Sequence, residues 1–280
     1  MQGQIKPIDY LIIGHITKDR LPRGYNLGGT ACYAALTAAA LGLNVGIVTS
    51  VPKVSDLTLP RNIQIVNKGS NHYTEFRNSY SDGQRQQINF NIAQKIKSDD
   101  IPEHWRETPI VHLAPVVQEI DPLLLNEFPN TLLGVSLQGW LRKWSGTGKV
   151  SYSDLDFDKD LLQNASTLLL SAEDIEFDES RIDTFQELSK ILVVTEGREG
   201  SRVYWNNDQR HIIAPEVEEL DPTGVGDIYA ASFLVNLHKT SDPWTAAKFA
   251  TRIAANSVQR SGLDGIPTPE EIKDFTIEVL

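Results

Sequence analysis

The chain has 280 residues, of which 40% are hydrophobic and 22% are charged, and its formal net charge is −11. These values are typical of a globular protein, and the length suits one large α/β domain with at most a small appendage. The acidic balance argues against nucleic acid or an anionic membrane surface as the main partner. No apolar run approaches the ~20 residues that span a bilayer, and residues 1–9 do not have the pattern of a signal peptide. We therefore expect a cytoplasmic protein.

Cys32 is the only cysteine, so an intrachain disulfide is impossible and a thiolate metal cluster is unsupported. We expect it to be a small buried hydrophobic residue. The six histidines show no metal-ligand spacing. The chain has neither a P-loop motif nor a G-x-G-x-x-G after its first strand, which disfavours P-loop enzymes and dinucleotide-dependent dehydrogenases.

Strand-like and helix-like segments alternate from the start of the chain. An apolar run at 10–16 precedes an alanine-rich helix at 31–41, and a second strand follows at 44–51. This spacing predicts a parallel β-α-β crossover. Further strands are predicted at 110–117, 131–137, 167–171 and 191–195, helices at 121–128, 158–164, 180–190, 228–237, 243–260 and 270–280, and a hairpin at 201–214. The alternation predicts an α/β fold with a mostly parallel sheet that is buried on both faces.

Residues 62–93 break this rhythm, because polar and apolar residues alternate there around Asp82-Gly83. The pattern predicts a β-hairpin with one polar face, which we interpret as a small flap on the main domain. Asn78, Arg85 and Gln87 of this hairpin either face a substrate pocket or belong to a solvated face.

The segment DPTGVGD, residues 221–227, directly precedes the helix predicted at 228–237. Ligands of open parallel sheets bind outside the carboxyl ends of the strands, where this helix would begin. The N–H groups of a first helical turn, reached through Gly224 and Gly226, form an anion hole suited to a phosphate. Asp227 stays ionised there and is suited to accept a proton from an attacking hydroxyl. The alternative is that Asp227 only caps the helix and that the glycines only form a turn.

The stretch resembles the C-terminal signature of the PfkB family of carbohydrate kinases, D-T-x-G-A-G-D. Five residues match this signature and two depart from it; the matches are Asp221, Thr223, Gly224, Gly226 and Asp227, and the departures are Pro222 and Val225. The resemblance implies that Asp227 is the catalytic base and that the amides of Gly224, Val225 and Gly226 form the anion hole. It also implies the three-layer α/β/α ribokinase-like fold, with a mostly parallel central sheet and a small β lid.

An N-terminal signature is present as well. The stretches GHITKD (14–19) and LGGTACYAALTAAALG (27–42) resemble the G-x-x-x-x-D and G-G-x-x-x-N-x-A-x-x-x-x-x-L-G of the same family. The resemblance implies that Asp19, Gly28 and Gly29 contact substrate hydroxyls. A carboxylate accepts two such hydrogen bonds, and glycines let a polyol approach the backbone closely.

Two departures from the family pattern bear on the acceptor. Tyr33 stands where the family has Asn, and it either belongs to the substrate site or packs in the helix core. The stretch SLQGWLRKW stands where the family has D-x-N-x-R. Arg142 matches the Arg, which many members place near phosphates, whereas Gln138 and Trp140 replace the Asp and the Asn. We assign Gln138 to the substrate site, and Trp140 either walls the pocket or packs in the core. The combination of Q-G-x-x-R, an aromatic residue in place of the helix Asn and D-P-T-G resembles the branch of the family that includes myo-inositol kinases.

The loop TEGREGS (195–201) resembles the family's T-x-G-x-x-G, which runs beside the nucleotide. The resemblance assigns nucleotide-binding roles to seven residues, Ser171, Thr195, Glu196, Gly197, Gly200, Thr223 and Thr251. Ala255 is also placed near the adenine. The acid that organises water around Mg²⁺ is Asp174 by register, with Glu173 as the alternative. The expected cofactors are ATP and Mg²⁺, and K⁺ near Asp221 is a further expectation.

Residues 1–280 are thus predicted to form a single kinase domain that transfers the γ-phosphoryl group of ATP to a hydroxyl of a sugar or cyclic polyol. One alternative is a nucleoside kinase on the same scaffold, which stacking on Tyr33 or Trp140 would favour. Another is a non-catalytic protein that binds nucleotides or sugars.

The lid is the remaining expectation. Only residues 20–27 separate Asp19 from Gly28, so we expect the lid to be reduced there and the hairpin at 72–93 to supply the cover. Lids of this family often mediate dimerisation, so a homodimer is a further expectation.

Overall fold

The computed structural model describes residues 7–81 and 84–279. Its strands are β1 (Tyr10–Ile13), β2 (Thr17–Arg20), β3 (Tyr25–Gly28), β4 (Val45–Thr49), β5 (Ile63–Asn67), β6 (Thr74–Ser81), β7 (Gln84–Asn91), β8 (Ile110–Leu113), β9 (Leu132–Ser136), β10 (Arg142–Trp144), β11 (Val150–Tyr152), β12 (Thr167–Ser171), β13 (Ile191–Thr195), β14 (Ser201–Trp205) and β15 (Asp208–Ile212). The α-helices are α1 (Thr30–Ala40), α2 (Glu179–Glu187), α3 (Val225–Thr240), α4 (Pro243–Ser257) and α5 (Pro269–Val279).

Nine strands form the central sheet in the order β15-β14-β13-β12-β9-β8-β1-β4-β5. The seven strands from β13 to β5 in this order are parallel, and β14 and β15 are antiparallel at one edge. The hairpin expected at 201–214 is therefore present, with Asn206 and Asn207 at positive φ in its two-residue turn. Strand β5 belongs to this sheet and not to the flap that we expected over 62–93. The mostly parallel α/β sheet is confirmed.

The side chains of β1 point alternately to the two faces of the sheet and pack in a separate hydrophobic core on each face, as expected of a strand that is buried on both sides. Tyr10 and Ile12 pack in the core that contains α1, α3 and α4. Leu11 and Ile13 pack in the core on the opposite face, which contains Ile182 of α2. Cys32 is 1% exposed in the first core, as expected from its sequence context. Within the described ranges, every helix is too short or too polar to span a bilayer.

The α-helices predicted at 121–128 and 158–164 are wrong, because both segments form short 3₁₀ helices, Pro122–Asn126 and Lys159–Asn164. Each is preceded by an N-cap aspartate, Asp121 or Asp158, whose side chain accepts a hydrogen bond from the backbone N–H two residues later. The segments are five and six residues long. So few residues rarely offset the cost of nucleating an α-helix, and 3₁₀ geometry is common in such short pieces.

A second sheet of four strands, in the order β3-β2-β6-β7, forms the lid. The residues between Asp19 and Gly28 supply the β2–β3 hairpin, so the lid is not reduced there as expected from the short spacing. The predicted hairpin adds β6 and β7, and its turn at Asp82-Gly83 and the side chain of Arg85 lie outside the described residues. The lid is therefore built from two hairpins that are joined through the parallel pair β2–β6.

The hairpin β10–β11 was not predicted from the sequence. Its tip meets the lid, because Lys149 forms a β-bridge with Ile88 and the N–H of Asn89 donates to the carbonyl of Gly148 at 2.8 Å. A Cβ on Gly148 would overlap the carbonyl oxygen of Asn89, so only glycine allows this approach. The hairpin therefore braces the β7 edge of the lid.

A buried carboxylate joins the loops that follow β1 and β8. Glu119 is fully buried and accepts hydrogen bonds from the N–H groups of His15, Val116 and Val117 at 2.7–3.1 Å. His15 continues the connection to the lid, with Nδ1 at 2.7 Å from the hydroxyl oxygen of Thr74. Satisfied buried networks of this kind fix loop geometry. The lid is thereby anchored to the carboxyl end of the sheet.

A second buried hydrogen-bond network lies within the sheet itself. His112 of β8 is fully buried, with Nδ1 at 2.8 Å from the hydroxyl of Tyr10 and Nε2 at 2.8 Å from the hydroxyl of Ser136. Burial lowers the pKa of His112 from its usual 6.5 to about 3. The imidazole is therefore neutral in the folded protein at neutral pH, whereas the unfolded chain binds a proton below pH 6.5.

This difference predicts a pH dependence of stability. Between pH 6.5 and 3 the unfolded state binds more protons, so the contribution of His112 is present above pH 6.5 and is lost as pH falls, by about 2 kcal/mol at pH 5. The variant His112→Gln keeps one donor and one acceptor but does not titrate. Urea unfolding at pH 7 and pH 5 gives the free energy of unfolding that each protein loses between these pH values. We expect this loss to be larger in the wild type than in His112→Gln by about that amount. An equal loss in the two proteins would contradict the low pKa of His112.

Candidate active site

Helix α3 begins at Val225, three residues before the predicted start. Its N-cap, Gly224, has φ 78° and no side-chain cap. Asp227 is therefore the third residue of the helix, which excludes the alternative in which Asp227 is the cap. A carboxylate in a first turn is stabilised by the N–H groups and the positive end of the helix dipole.

The first turn of α3 is open on the side of Gly226. A Cβ on Gly226 would meet no atom within 4 Å, and the residue is exposed. The N–H of Val225 donates to the carbonyl of Pro222 at 3.3 Å, which makes a tight turn before the helix. A phosphate can therefore approach the first turn over Gly226 without steric conflict.

Asp19 lies beside the double glycine. A Cβ on Gly28 would be 2.5 Å from Oδ2 of Asp19, so the carboxylate packs directly on Gly28. Gly29 is the N-cap of α1 with φ 84°, and a Cβ there would be 2.6 Å from the carbonyl oxygen of His15. Gly29 therefore requires glycine, and a side chain at Gly28 would displace the Asp19 carboxylate. This packing brings the Asp19 carboxylate to the start of α1.

The charges of Asp19 and Asp227 act on the same buried groups of α1. Burial raises the pKa of the Cys32 thiol to about 12, with Asp227 and Asp19 as further causes. Burial also raises the pKa of Tyr33, followed by the charges of Asp227, Cys32, Asp19 and Asp221. The two sequence signatures, about two hundred residues apart, therefore meet around the N-terminal turn of α1.

Tyr33 itself is buried, with 3% of its surface exposed. Its ring lies where a side chain of Gly224 would be, since a Cβ on Gly224 would overlap three ring carbons. The sequence left two alternatives for Tyr33, a residue of the helix core or a substrate ligand. Its position in the structure is that of a core residue and does not support a contact with substrate.

Arg142 and Asp174 lie near each other at the end of the sheet, with Nη2 and Oδ1 3.9 Å apart. Nη1 of Arg142 also lies 3.5 Å from the carbonyl oxygen of Val116. Asp174 is fixed by Ser171, whose N–H donates to its carboxylate at 2.9 Å and whose hydroxyl accepts its N–H at 3.1 Å. Glu173 is exposed. The predicted phosphate-binding arginine and the predicted Mg²⁺ acid are therefore neighbours.

The turn after β9 carries Gln138, which is half-buried. Trp140 is 3% exposed, and its indole N–H donates to the carbonyl of Ile120 at 3.2 Å. Its ring packs edge-on against Phe157 with centroids 5.0 Å apart. Trp140 is therefore a core residue and not a wall of the pocket.

The loop after β13 takes the shape that its glycines allow. Gly197 and Gly200 have φ 58° and 101°, and a Cβ on Gly200 would overlap the carbonyl oxygen of Ile212. Glu196, which follows Thr195, pairs with Arg202, and its Oε1 accepts the Nε–H at 2.8 Å. The loop is therefore rigid, and its half-buried Thr195 lies at the same sheet edge as Ser171.

A groove of about 290 Å³ lies beside the C-terminal half of α4. It is lined by Pro215, Val217, Arg252, Ala255, Asn256 and Phe275. Ala255 was expected near the nucleotide and lines this groove. Thr251 is 4% exposed and its hydroxyl oxygen lies 3.5 Å from that of Ser201, so its position does not support the nucleotide contact assigned to it.

Asp221 holds two segments together. Its Oδ1 accepts the N–H of Thr223 at 2.9 Å, and its Oδ2 accepts the N–H of Gly262 at 2.9 Å and the hydroxyl of Ser261 at 3.1 Å. Burial acts to raise the pKa of this carboxyl, but these hydrogen bonds lower it below its usual value. Sequence reasoning missed Ser261 and Gly262, since a Ser-Gly pair after a helix indicates only a turn.

The mostly parallel nine-stranded sheet, the helix that begins at Gly224 and the four-stranded lid are those of the ribokinase-like fold. A family model described as pfkB family carbohydrate kinase matches residues 161–270. The C-terminal signature lies within this match, which confirms the predicted resemblance to the PfkB family of carbohydrate kinases over these residues. The chain is an ATP-dependent phosphotransferase that acts on a hydroxyl group.

Three similar proteins illustrate the range of this family. A cytidine kinase of Thermococcus kodakarensis is 27% identical over 250 residues, which cover 81% of this chain and 87% of that one. A ribokinase of Thermotoga maritima has the same fold, with a TM-score of 0.75, 21% identity and coverage of 96% and 99%. A pyrophosphate-dependent kinase in the ribokinase family, solved with a pyrophosphate analogue and myo-inositol, has a TM-score of 0.75, 21% identity and coverage of 94% and 99%.

Replacement by alanine should have different effects on stability at Gly224, the N-cap of α3, and at Gly226 in its first turn. Gly224→Ala places a Cβ against Tyr33 at a positive φ, so we expect a loss of stability of about 1–3 kcal/mol. Gly226→Ala introduces no contact and removes backbone freedom from a helix, so we expect no loss and a gain of at most about 1 kcal/mol. Equal unfolding midpoints for the two variants in urea would contradict this description of the turn.

Proposed function

We propose that the chain transfers the γ-phosphoryl group of ATP to a hydroxyl of a sugar or cyclic polyol, with Asp227 as the general base. The observation that carries the proposal is the position of Asp227 as the third residue of α3, beside the open face of Gly226. A carboxylate at the third position of the helix, next to amides that can receive a phosphate, suits proton abstraction during phosphoryl transfer.

The amides of Gly224, Val225 and Gly226 are proposed to stabilise the charge on the transferring group. Preorganised N–H donors are effective because they need no rearrangement as charge develops. Arg142 is proposed to add a positive charge near the phosphates, from its place beside Asp174. Asp227 would take the proton of the acceptor hydroxyl at its carboxylate.

The residues at the donor side fit ATP and Mg²⁺. The 290 Å³ groove combines apolar Val217 and Phe275 with the amide of Asn256, a lining suited to a nucleobase. Mg²⁺ prefers oxygen ligands and usually keeps several waters, so Asp174, with Glu173 beside it, would hold it through water. When bound, Mg²⁺ would neutralise charge on the phosphates. Ser171, Thr195, Gly197, Gly200 and Thr223 keep their proposed nucleotide contacts.

K⁺ near Asp221 stays a prediction of the family resemblance. Both carboxylate oxygens of Asp221 already accept hydrogen bonds from protein donors, so a cation there would also need carbonyl oxygens of the same loop. The homodimer and the cytoplasmic location also stay predictions. Leu21 and Tyr25, which are 45% and 51% exposed beside the β3 edge of the lid, mark where such a dimer would form.

The inner face of the lid supports a polyhydroxylated acceptor. Asp19 and Phe76 are partners in the β2–β6 pair, and Asn78 lies two residues further on the same face. Gln87 is opposite Asn78 and donates its Nε2–H to Oδ1 of Asn78 at 2.8 Å. Gln87 is 8% exposed, and its Oε1 accepts no hydrogen bond within the described residues. A buried acceptor without a donor is costly, and a substrate hydroxyl would supply one.

A nucleoside kinase is the second candidate. The extended similarity to a cytidine kinase, over 81% of this chain, favours it. The same amide face would then contact a base instead of ring hydroxyls, because amides supply both donors and acceptors. Gln138, Gly28 and Gly29 belong to the proposed acceptor site in either case.

Replacement of the base tests the proposed chemistry. Asp227→Asn keeps the shape of the side chain but cannot accept the proton, so we expect kcat to fall about 10²–10⁴-fold with Mg-ATP binding retained. Asp242→Asn is a matched control, because Asp242 caps α4 and its replacement keeps a capping side chain. Steady-state ADP release and calorimetric ATP binding measure both effects; a kcat of Asp227→Asn within a few-fold of the wild type would refute the role of Asp227.

A panel of acceptors separates the candidate functions. We expect kcat/KM, measured by ADP release with inositols, hexoses and nucleosides, to be highest for a cyclic polyol or sugar, by about ten-fold or more over any nucleoside. A nucleoside at the top would establish the second candidate instead. Binding of Mg-ATP without turnover on any acceptor would favour a non-catalytic protein, and turnover with pyrophosphate alone would assign a different donor.

A further inference from the structure

We propose that Tyr33 is a positioning residue that holds the anion hole of α3, and that it does not contact the acceptor. The proposal rests on the proposed function, since it concerns the amides that would receive the phosphoryl group. It reassigns the one residue at which the N-terminal signature departs from the pattern of its family.

The contact between Tyr33 and Gly224 is made through the face of the ring. A Cβ on Gly224 would lie at nearly equal distances from Cδ1, Cε1 and Cζ, all within overlap. Equal distances to three successive ring carbons arise only when the approaching group lies over the ring plane. The side of Gly224 that a Cβ would occupy therefore faces the aromatic ring, which leaves no room for a side chain there.

The ring of Tyr33 is held by the buried helix α1. Tyr33 lies in the first turn of α1, and its carbonyl accepts the hydroxyl of Thr37 at 2.8 Å. Helix α1 packs against α3 in the same core, where Ala34 and Ala35 are fully buried. Gly224, in contrast, has φ 78° and no side chain of its own, so only its neighbours restrict it. Tyr33 supplies that restriction from a neighbouring helix.

The hydroxyl end of the same ring reaches the loop after α4. A Cβ on Gly262 would be 3.9 Å from Oη of Tyr33. Asp221 links this loop to the turn before α3, through Gly262 on one side and Thr223 on the other. The Tyr33 ring therefore packs on Gly224, and its hydroxyl lies near Gly262, so it borders both segments that Asp221 joins.

This placement predicts an effect on the reaction and not on acceptor affinity. Without the ring, Gly224 gains conformational freedom and the amides of the first turn lose their fixed direction. Stabilisation of developing charge depends on donors that are already oriented, so the loss falls mainly on kcat. A residue that contacts the acceptor would instead change the acceptor KM or both constants together.

Three variants test the proposal, with kinetics at saturating Mg-ATP and with pyrophosphate binding measured by calorimetry. Tyr33→Phe keeps the ring, and we expect kcat and pyrophosphate Kd within about two-fold of the wild type. Tyr33→Leu removes the aromatic face, and we expect kcat to fall about ten-fold or more, the acceptor KM to change less than about three-fold and pyrophosphate to bind about three- to ten-fold more weakly. Tyr33→Asn should resemble Tyr33→Leu, although its amide could bind a hydroxyl.

Tyr204→Leu controls for general destabilisation. Tyr204 is a buried tyrosine of β14 in the opposite core, so its replacement should lower the melting temperature without lowering kcat. An acceptor KM that rises about ten-fold in Tyr33→Leu at unchanged kcat would overturn the proposal, as would wild-type behaviour of Tyr33→Leu or equal losses in Tyr33→Phe. If the wild type phosphorylates no acceptor, the proposed function fails, while pyrophosphate binding still decides the role of Tyr33; unchanged binding in Tyr33→Leu would then overturn it.

Discussion

The left-handed backbone of Gly224 decides where helix α3 begins, and the geometry of the site depends on it. Because the chain turns at Gly224, the third helical residue is an aspartate and the second is an exposed glycine. Further along α3, Leu234 packs on β9 where a side chain of Gly134 would be. The positive φ of Gly224 thus places Asp227 in the first turn of a helix that packs against the sheet.

The lid is joined to the sheet by a network of buried hydrogen bonds. Glu119 gathers the loops after β1 and β8, and His15 passes this connection to Thr74 of the lid. Unpaired polar groups in a protein interior are costly, so such a network tolerates few alternative arrangements. The lid is therefore anchored to the carboxyl end of the sheet, and Asp19 of β2 packs on Gly28 directly before α1.

Periodicity was sufficient for six parallel strands of the sheet, β1, β4, β8, β9, β12 and β13, whose apolar runs stand out in the sequence, but it placed β5 in the flap. The glycine pattern of DPTGVGD was sufficient to predict the start of a helix close to its observed position. The lid was harder, because its four strands join segments that are distant in sequence and β2 has only four residues. Tyr33 and Trp140 show the limit for single residues: whether an aromatic side chain walls a pocket or fills a core depends on neighbours that sequence periodicity does not identify. The contact of Tyr33 with Gly224 joins α1 to α3, and no local pattern encodes it.

The central claim is that this site joins the γ-phosphoryl group of ATP to an acceptor hydroxyl. Phosphorus-31 NMR of the protein with Mg-ATP and myo-inositol, extended to hexoses if inositol is inert, follows donor and product in one sample. We expect a new phosphomonoester resonance that grows in step with ADP, one for one, and that is absent when Asp227→Asn replaces the wild type. Release of inorganic phosphate in place of a phosphomonoester, or equal ester formation by the variant, would contradict it.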